Sequence, residues 1–230
     1  MDIILVPGLW LDGSSWDAVT AELDKAGHRV QALTLPGLES RTADRSTVTL
    51  DDHVASVVAA VDSSDGPVLL VGHSAAASLA FCAVDARPDR VARVLYVGGF
   101  PGSDGEPFMQ GLEANGDGVP FPGWDRFEGP DSADIDEPTR RELLDRFLPT
   151  PAGVIDGIVR LTDERRYDVP ATAVCPEYTP DDLREWIESG EIPELARTKH
   201  LDYVDIDSGH WPQFTQPARL AELIVAEARR

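Results

Sequence analysis

VLLVGHSAAASLA, residues Val68–Ala80, joins four apolar residues directly to Gly-His-Ser-Ala-Ala and then to a run of small residues. An apolar run closed by glycine reads as a strand buried on both faces. The alanine-rich run beyond Ser74 reads as a helix lying close against that strand. A hydroxyl at this junction has two explanations. Ser74 caps the helix by accepting from its first free amides, or the chain turns sharply there to present the hydroxyl for chemistry.

Working outward, strand and helix patterns alternate. Asp2–Val6 is a short apolar run stopped by Pro7-Gly8, and it predicts the first strand. Ser15 is the expected N-cap of a helix whose buried stripe is Trp16, Val19 and Leu23 and whose stop is Gly27. A second strand runs through HRVQALTLPG. Thr49 with Asp52 resembles a capping box before a helix that buries Val54, Val57, Val58 and Val61. VARVLYVGG, ATAVC (171–175) and LDYVDID (from Leu201) add three more strands after the central one, and Pro217 opens a closing helix. The alternation predicts an α/β fold: a mostly parallel sheet with helices on both faces. Residues 1–100 and 169–230 form its core.

Residues 101–168 break the rhythm with GSDGEPFMQG and GVPFPGWDRFEGP, followed by two helical patches, EPTRRELLDRFL and AGVIDGIVRL. An insertion of this length in a compact domain is functional or disordered. Its aromatics, Phe108, Phe121, Trp124, Phe127 and Phe147, argue for order. A lid is expected, lying over the carboxyl ends of the strands where open α/β sheets bind ligands.

Composition narrows the partners. The 230 residues suit one domain with its own core, needing no metal or disulfide staple. Cys82 and Cys175 lie far apart in apolar runs and read as small buried residues of a reducing compartment. No basic leader and no run of roughly 20 apolar residues occurs. A soluble cytoplasmic protein without membrane contact is expected. A net charge of -21 opposes nucleic acid, whose phosphates require a basic face. Neither GxxxxGKS nor GxGxxG is present, and no cofactor is indicated. The expected partner is a small-molecule substrate; the chain carries no signal of oligomeric state.

Gly72-His73-Ser74-Ala75-Ala76, between strand and helix, resembles the G-x-S-x-G nucleophile elbow of the α/β-hydrolase fold, with Ala76 in place of the last glycine. VPGLW resembles that family's oxyanion-loop segment, LTLPGLESR the loop after the next strand, and IDSGHWPQFTQP the segment bearing the catalytic histidine. The likeness covers nearly the whole chain outside the insertion, in family order. DGSSWDAV and the small lid resemble the methylesterase and hydroxynitrile lyase branch.

A serine hydroxyl needs a base within hydrogen-bond reach. Of five histidines, His28 and His200 sit at strand starts, His53 belongs to a helix, and His73 adjoins Ser74 where neighbouring side chains diverge. His210 follows a strand's carboxyl end in a Ser-Gly-His loop and is the expected base. Family order puts the triad acid after ATAVC, where Glu177 comes first. Asp181 and Asp182 follow Thr179-Pro180 and are explained as first-turn acids of a helix. Asp104, after the preceding strand, is the alternative acid, or an ordinary turn residue. The resemblance also implies oxyanion donors at the Leu9 and Ala75 amides, and Trp10, Phe100 and Trp211 are candidates to line an apolar pocket. The expected activity is serine hydrolysis of a small or medium apolar carboxylic ester. The same triad also serves lyases or cyclases, and a receptor-like member binds its ligand with little turnover.

Overall fold

The computed structural model describes residues 1–230. Six strands make one wholly parallel sheet. They are β1 (Asp2–Val6), β2 (Arg29–Ala32), β3 (Val68–His73), β4 (Val91–Val97), β7 (Ala171–Cys175) and β8 (Leu201–Asp205), in the order β2-β1-β3-β4-β7-β8. β5 (Gly118–Val119) and β6 (Thr150–Pro151) form a separate antiparallel pair in the insertion. Successive residues of a strand point to opposite faces, and here both faces are covered. Ile3, Leu5, Leu69, Val71, Leu95 and Val97 pack on Trp16, Val19 and Leu23 and on Leu220 and Ile224. These come from α1 (Asp17–Lys25) with its preceding turn and from the closing helix α9 (Pro217–Ala228). Ile4, Val6, Leu70, Val94 and Tyr96 face the opposite layer. That layer holds α2 (Leu50–Ser63), α3 (Ala76–Ala86) and α6 (Pro180–Ser189). Burying each such Leu, Ile or Val contributes about 1.5–3 kcal/mol, so the sheet's two interfaces dominate the fold's stability.

Local signals set the helix ends. Thr49 and Asp52 exchange the reciprocal bonds of a capping box at α2, and Thr179 and Asp182 do the same at α6. Val57 and Val61 are fully buried on α2, whereas Val54 and Val58 sit at its margin. The α1 entry differs from expectation. Asp12, not Ser15, supplies the cap: its carboxylate accepts from the Ser14 amide at 2.9 Å. Ser15 instead donates its hydroxyl back to the Asp12 carbonyl at 2.7 Å. A single 3-10 turn, Gly13–Trp16, therefore precedes the helix.

Within the insertion, α4 (Glu137–Arg146) forms as expected, but the second patch yields only the one-turn α5 (Ala152–Ile155). Gly157 lies so close to α2 that a Cβ there would sit 2.4 Å from Leu50 Cβ. Beyond it the chain is extended, with the Phe108 amide bonded to Gly157 O at 2.8 Å and the Val159 amide to Glu106 O at 2.9 Å. Those bonds satisfy the backbone in place of helix. Two short helices, α7 (Pro193–Arg197) and α8 (Pro212–Thr215), connect the last elements. Buried Arg45 ties the loop after β2 to the insertion, donating to the carbonyls of Ser40, Ala43 and Pro149. No helix is long and apolar enough to cross a membrane.

Backbone packs against backbone where β3 meets α3. A Cβ on Gly72 would stand 2.5 Å from the Ala76 carbonyl oxygen. Gly72→Ala is therefore expected to destabilise the fold by about 1–3 kcal/mol. The change should appear as a lower denaturant midpoint at unchanged m-value.

Candidate active site

Ser74 is not a helix cap. Its side chain makes no bond to the α3 amides, and its backbone takes φ 54°, the left-handed region that a side chain normally avoids. The turn keeps Ser74 tied to the sheet, because its amide donates to Val97 O at 2.8 Å. Space for so sharp a turn comes from glycine on each side. Gly72 abuts Ala76, and a Cβ on Gly99 would lie 2.1 Å from Ser74 O. The hydroxyl is thus lifted clear of the sheet, half-buried, at the carboxyl end of the central strand.

Ser74, His210 and Glu177, widely separated in sequence, meet there. The Ser74 hydroxyl lies 2.8 Å from His210 Nε2, and His210 Nδ1 lies 2.6 Å from Glu177 Oε1. With Nδ1–H donating to the carboxylate, Nε2 is free to accept the serine proton. Glu177 Oε2 is buried with no partner. Gly98, at φ 60°, runs beneath this pair; a Cβ there would be 3.4 Å from both Glu177 Oε2 and His210 Nδ1. Asp104 lies elsewhere: its exposed carboxylate accepts from the Leu161 amide at 2.9 Å. Asp181 and Asp182 occupy the first turn of α6.

The amides of Leu9 and Ala75 make no hydrogen bond within the protein, whereas the neighbouring Trp10 amide donates to Thr150 Oγ1 at 3.0 Å. Two free N–H groups flanking a hydroxyl can stabilise negative charge that develops on a substrate oxygen. Beside Leu9 and Ala76 lies a narrow slot with room for about one water. Leu9, Leu35, Leu38, Ala76, Leu79, Phe108 and Val154 give it apolar walls. Trp10 and Trp211 are buried elsewhere, in an aromatic cluster with Phe121, Trp124, Phe127 and Phe147. Trp211 stands edge-on to the His210 ring at 4.9 Å, and Phe127 stacks over that ring at 6.4 Å. Phe100 packs half-buried against Tyr178 and Trp186.

Several contributors escape a reading of the sequence. The slot walls come from five separate segments, and those of the insertion, at Phe108 and Val154, carry no motif. The main chain around His210 is also held by the insertion. Its amide donates to Asp131 O at 2.7 Å, and the Gly209 amide donates to the Asp134 carboxylate at 2.8 Å. Burial holds the Asp131 carboxyl above its ordinary range; nearby His210 opposes this and Glu177 adds to it. His73, expected only to pack beside the elbow, is buried with Nε2 2.7 Å from the His210 carbonyl oxygen.

Burial, aided by the adjacent His210 ring, pushes the His73 imidazole down to about 3. Burial also lowers His53, against a hydrogen bond to Pro36 O that favours its charged form. In the unfolded chain both rings protonate near pH 6.5. The unfolded state therefore binds more protons, and stability falls as pH drops below that value. From pH 6.5 toward 4.5 the His73 ring should remove up to about 1.4 kcal/mol per pH unit, and His53 acts in the same direction. Chemical denaturation across this interval checks the slope, and His73→Gln should flatten it.

Comparison with known proteins finds relatives of this chain. Carbendazim hydrolyzing esterase from Nocardioides sp. (strain SG-4G) is 29% identical over 110 residues, covering 47% of this chain and 46% of that protein. The match thus spans about half the length of that relative. Pyrethroid hydrolase from Sphingobium wenxiniae is 25% identical across 97% of this chain and 86% of its own length. The solved structure of an extracellular alpha/beta-hydrolase from a Paenibacillus species superposes with a TM-score of 0.80 at 20% identity, covering 98% of each chain. A model of the alpha/beta hydrolase family matches residues 3–223, and the chain belongs to that family.

Proposed function

We propose that this protein is a serine hydrolase that cleaves small or medium, uncharged, apolar carboxylic esters through an acyl-enzyme on Ser74. The single observation that carries the reading is the unbroken contact from the Ser74 hydroxyl through both ring nitrogens of His210 to Glu177. The free amides of Leu9 and Ala75 beside it supply the second requirement of acyl transfer. An esterase and a pyrethroid hydrolase among the relatives point the same way.

The steps follow from the positions of the groups. Ser74 Oγ attacks the ester carbonyl carbon while its proton moves to His210 Nε2. The carbonyl oxygen, now anionic, accepts from the amides of Leu9 and Ala75. Glu177 stabilises the imidazolium and holds its tautomer. Collapse breaks the bond to the alcohol oxygen, which leaves with the proton from Nε2. Water then attacks the acyl-enzyme by the same route and releases the carboxylic acid and free Ser74.

The narrow leucine-lined slot favours a small apolar group on the ester. A chain charge of -21 disfavours anionic substrates and repels the carboxylate product. The insertion, residues 101–168, acts as the lid, with Phe127 over the histidine ring and Trp124 on Trp211.

A fluorophosphonate should label Ser74 stoichiometrically, and Ser74→Ala should lower kcat on p-nitrophenyl esters by at least about 10³-fold. Glu177→Gln leaves His210 without its charged partner and should cost on the order of 10⁴-fold in kcat. Folded protein that neither takes the label nor turns over any ester would defeat the proposal. Labelling without hydrolysis across the panel would redirect it to elimination or lyase chemistry on the same groups.

A further inference from the structure

The residue before the nucleophile faces away from Ser74, yet its contacts return to the same site. His73 is 1% exposed, the last residue of β3, with Nε2 2.7 Å from the main-chain oxygen of His210. A carbonyl only accepts, so Nε2 carries the ring proton and Nδ1 is an acceptor. The group found at Nδ1 is the side-chain amide of Gln213, 3.3 Å away and itself 1% exposed. Gln213 Oε1 has no partner, so the contact to His73 is the side chain's one hydrogen bond. Gly8 closes the same side: a Cβ there would be 2.7 Å from His73 Nδ1. Trp16 stands edge-on to the ring at 6.3 Å.

We infer that His73 is a positioning residue for His210: its Nε2–H fixes the His210 carbonyl, and Gln213 holds His73 in the tautomer that can donate. The proposal rests on the reading of Ser74 and His210 as nucleophile and base. Nucleophile and strut are then consecutive residues on one rigid strand end. Any shift of Ser74 carries the support of its base with it, which maintains the 2.8 Å contact between Oγ and Nε2. His210 is held at three points by three segments: its amide by Asp131 O, its carbonyl by His73 and its ring by Glu177. The low proton affinity of the His73 ring suits this task, because a neutral ring keeps Nδ1 open to Gln213 throughout the working pH range.

The test pairs kinetics with a measurement on the unaltered protein. His73→Leu removes the donor and keeps an apolar filling. Its kcat on p-nitrophenyl butyrate, per site titrated with fluorophosphonate, should fall about 100-fold, the scale set by misplacing a catalytic group by about 1 Å. KM should stay within about threefold, because the substrate contacts are intact. His73→Gln presents an amide donor in the same direction and should recover at least about tenfold of the loss. A purely structural role would lower the titratable fraction and leave kcat per site alone. That result, or no recovery in a folded His73→Gln, overturns the inference.

Should His73→Leu not fold, nitrogen-15 NMR of histidine-labelled wild-type protein decides. The inference requires one ring that stays neutral and Nε2-protonated while pH is lowered through roughly 7 to 5. A His73 ring that titrates in that range, or carries its proton on Nδ1, overturns it. Failure of the underlying reading is separate, since it would appear as ester turnover retained by Ser74→Ala.

Discussion

A serine held in the left-handed region at the end of the central strand constrains everything around it. Such a backbone costs of order 1–3 kcal/mol and persists only where the surroundings leave no alternative. Here the Ser74 amide is fastened to β4 and the chain on either side is walled by Gly72, Gly99 and Ala76. Moving the residue to a relaxed conformation would break the bond to Val97 or drive backbone into backbone. The strain is stored in the interior of the sheet, on β3 between β1 and β4.

The parallel arrangement then supplies the remaining groups. Each neighbouring strand ends on the same edge of the sheet. β1 leads into Gly8-Leu9, β4 into Gly98-Gly99, β7 into Glu177 and β8 into His210. Five consecutive strand ends thus contribute one component each, and no component needs a long reach from a mobile surface loop. Glycine recurs at positions 8, 72, 98 and 99 because a Cβ would crowd His73 and Ser74 at the first, the α3 backbone at the second, Glu177 and His210 at the third and the Ser74 backbone at the fourth. The cost of this convergence is local; the two apolar faces of the sheet stabilise it at a distance.

Much of this arrangement is legible in the residues because it is written locally. Strands buried on both faces become short apolar runs, and the caps at Thr49 and Thr179 involve partners three residues away. Ser74 stood out because a polar residue interrupts burial. Glu177 is reachable through the family resemblance, which implies an acid after β7, and the nearby Asp181 and Asp182 have a helix to serve. What escaped depends on distant pairing. His73 meets His210 across 137 residues and Gln213 across 140, with nothing in either segment to announce the other. The same holds for the second helical patch, whose periodicity yields to contacts with Leu50 and with residues 105–108. At the α1 entry, a 3-10 turn capped by Asp12 precedes the helix, and the Ser15 hydroxyl is taken up by the Asp12 carbonyl.

The bonds from Asp131 and Asp134 to the main chain of residues 209 and 210 bear on how relatives of this protein diverge. The insertion and the His210 loop are laced together, so the 101–168 segment is not an interchangeable cassette. A sequence that drifts or is transplanted there inherits a geometric obligation: an oxygen acceptor must return to each of those two amides, or the imidazole loses part of its footing. Sequence change is therefore freer on the slot walls at Leu35, Leu38, Leu79 and Val154, which carry no such bond to either amide.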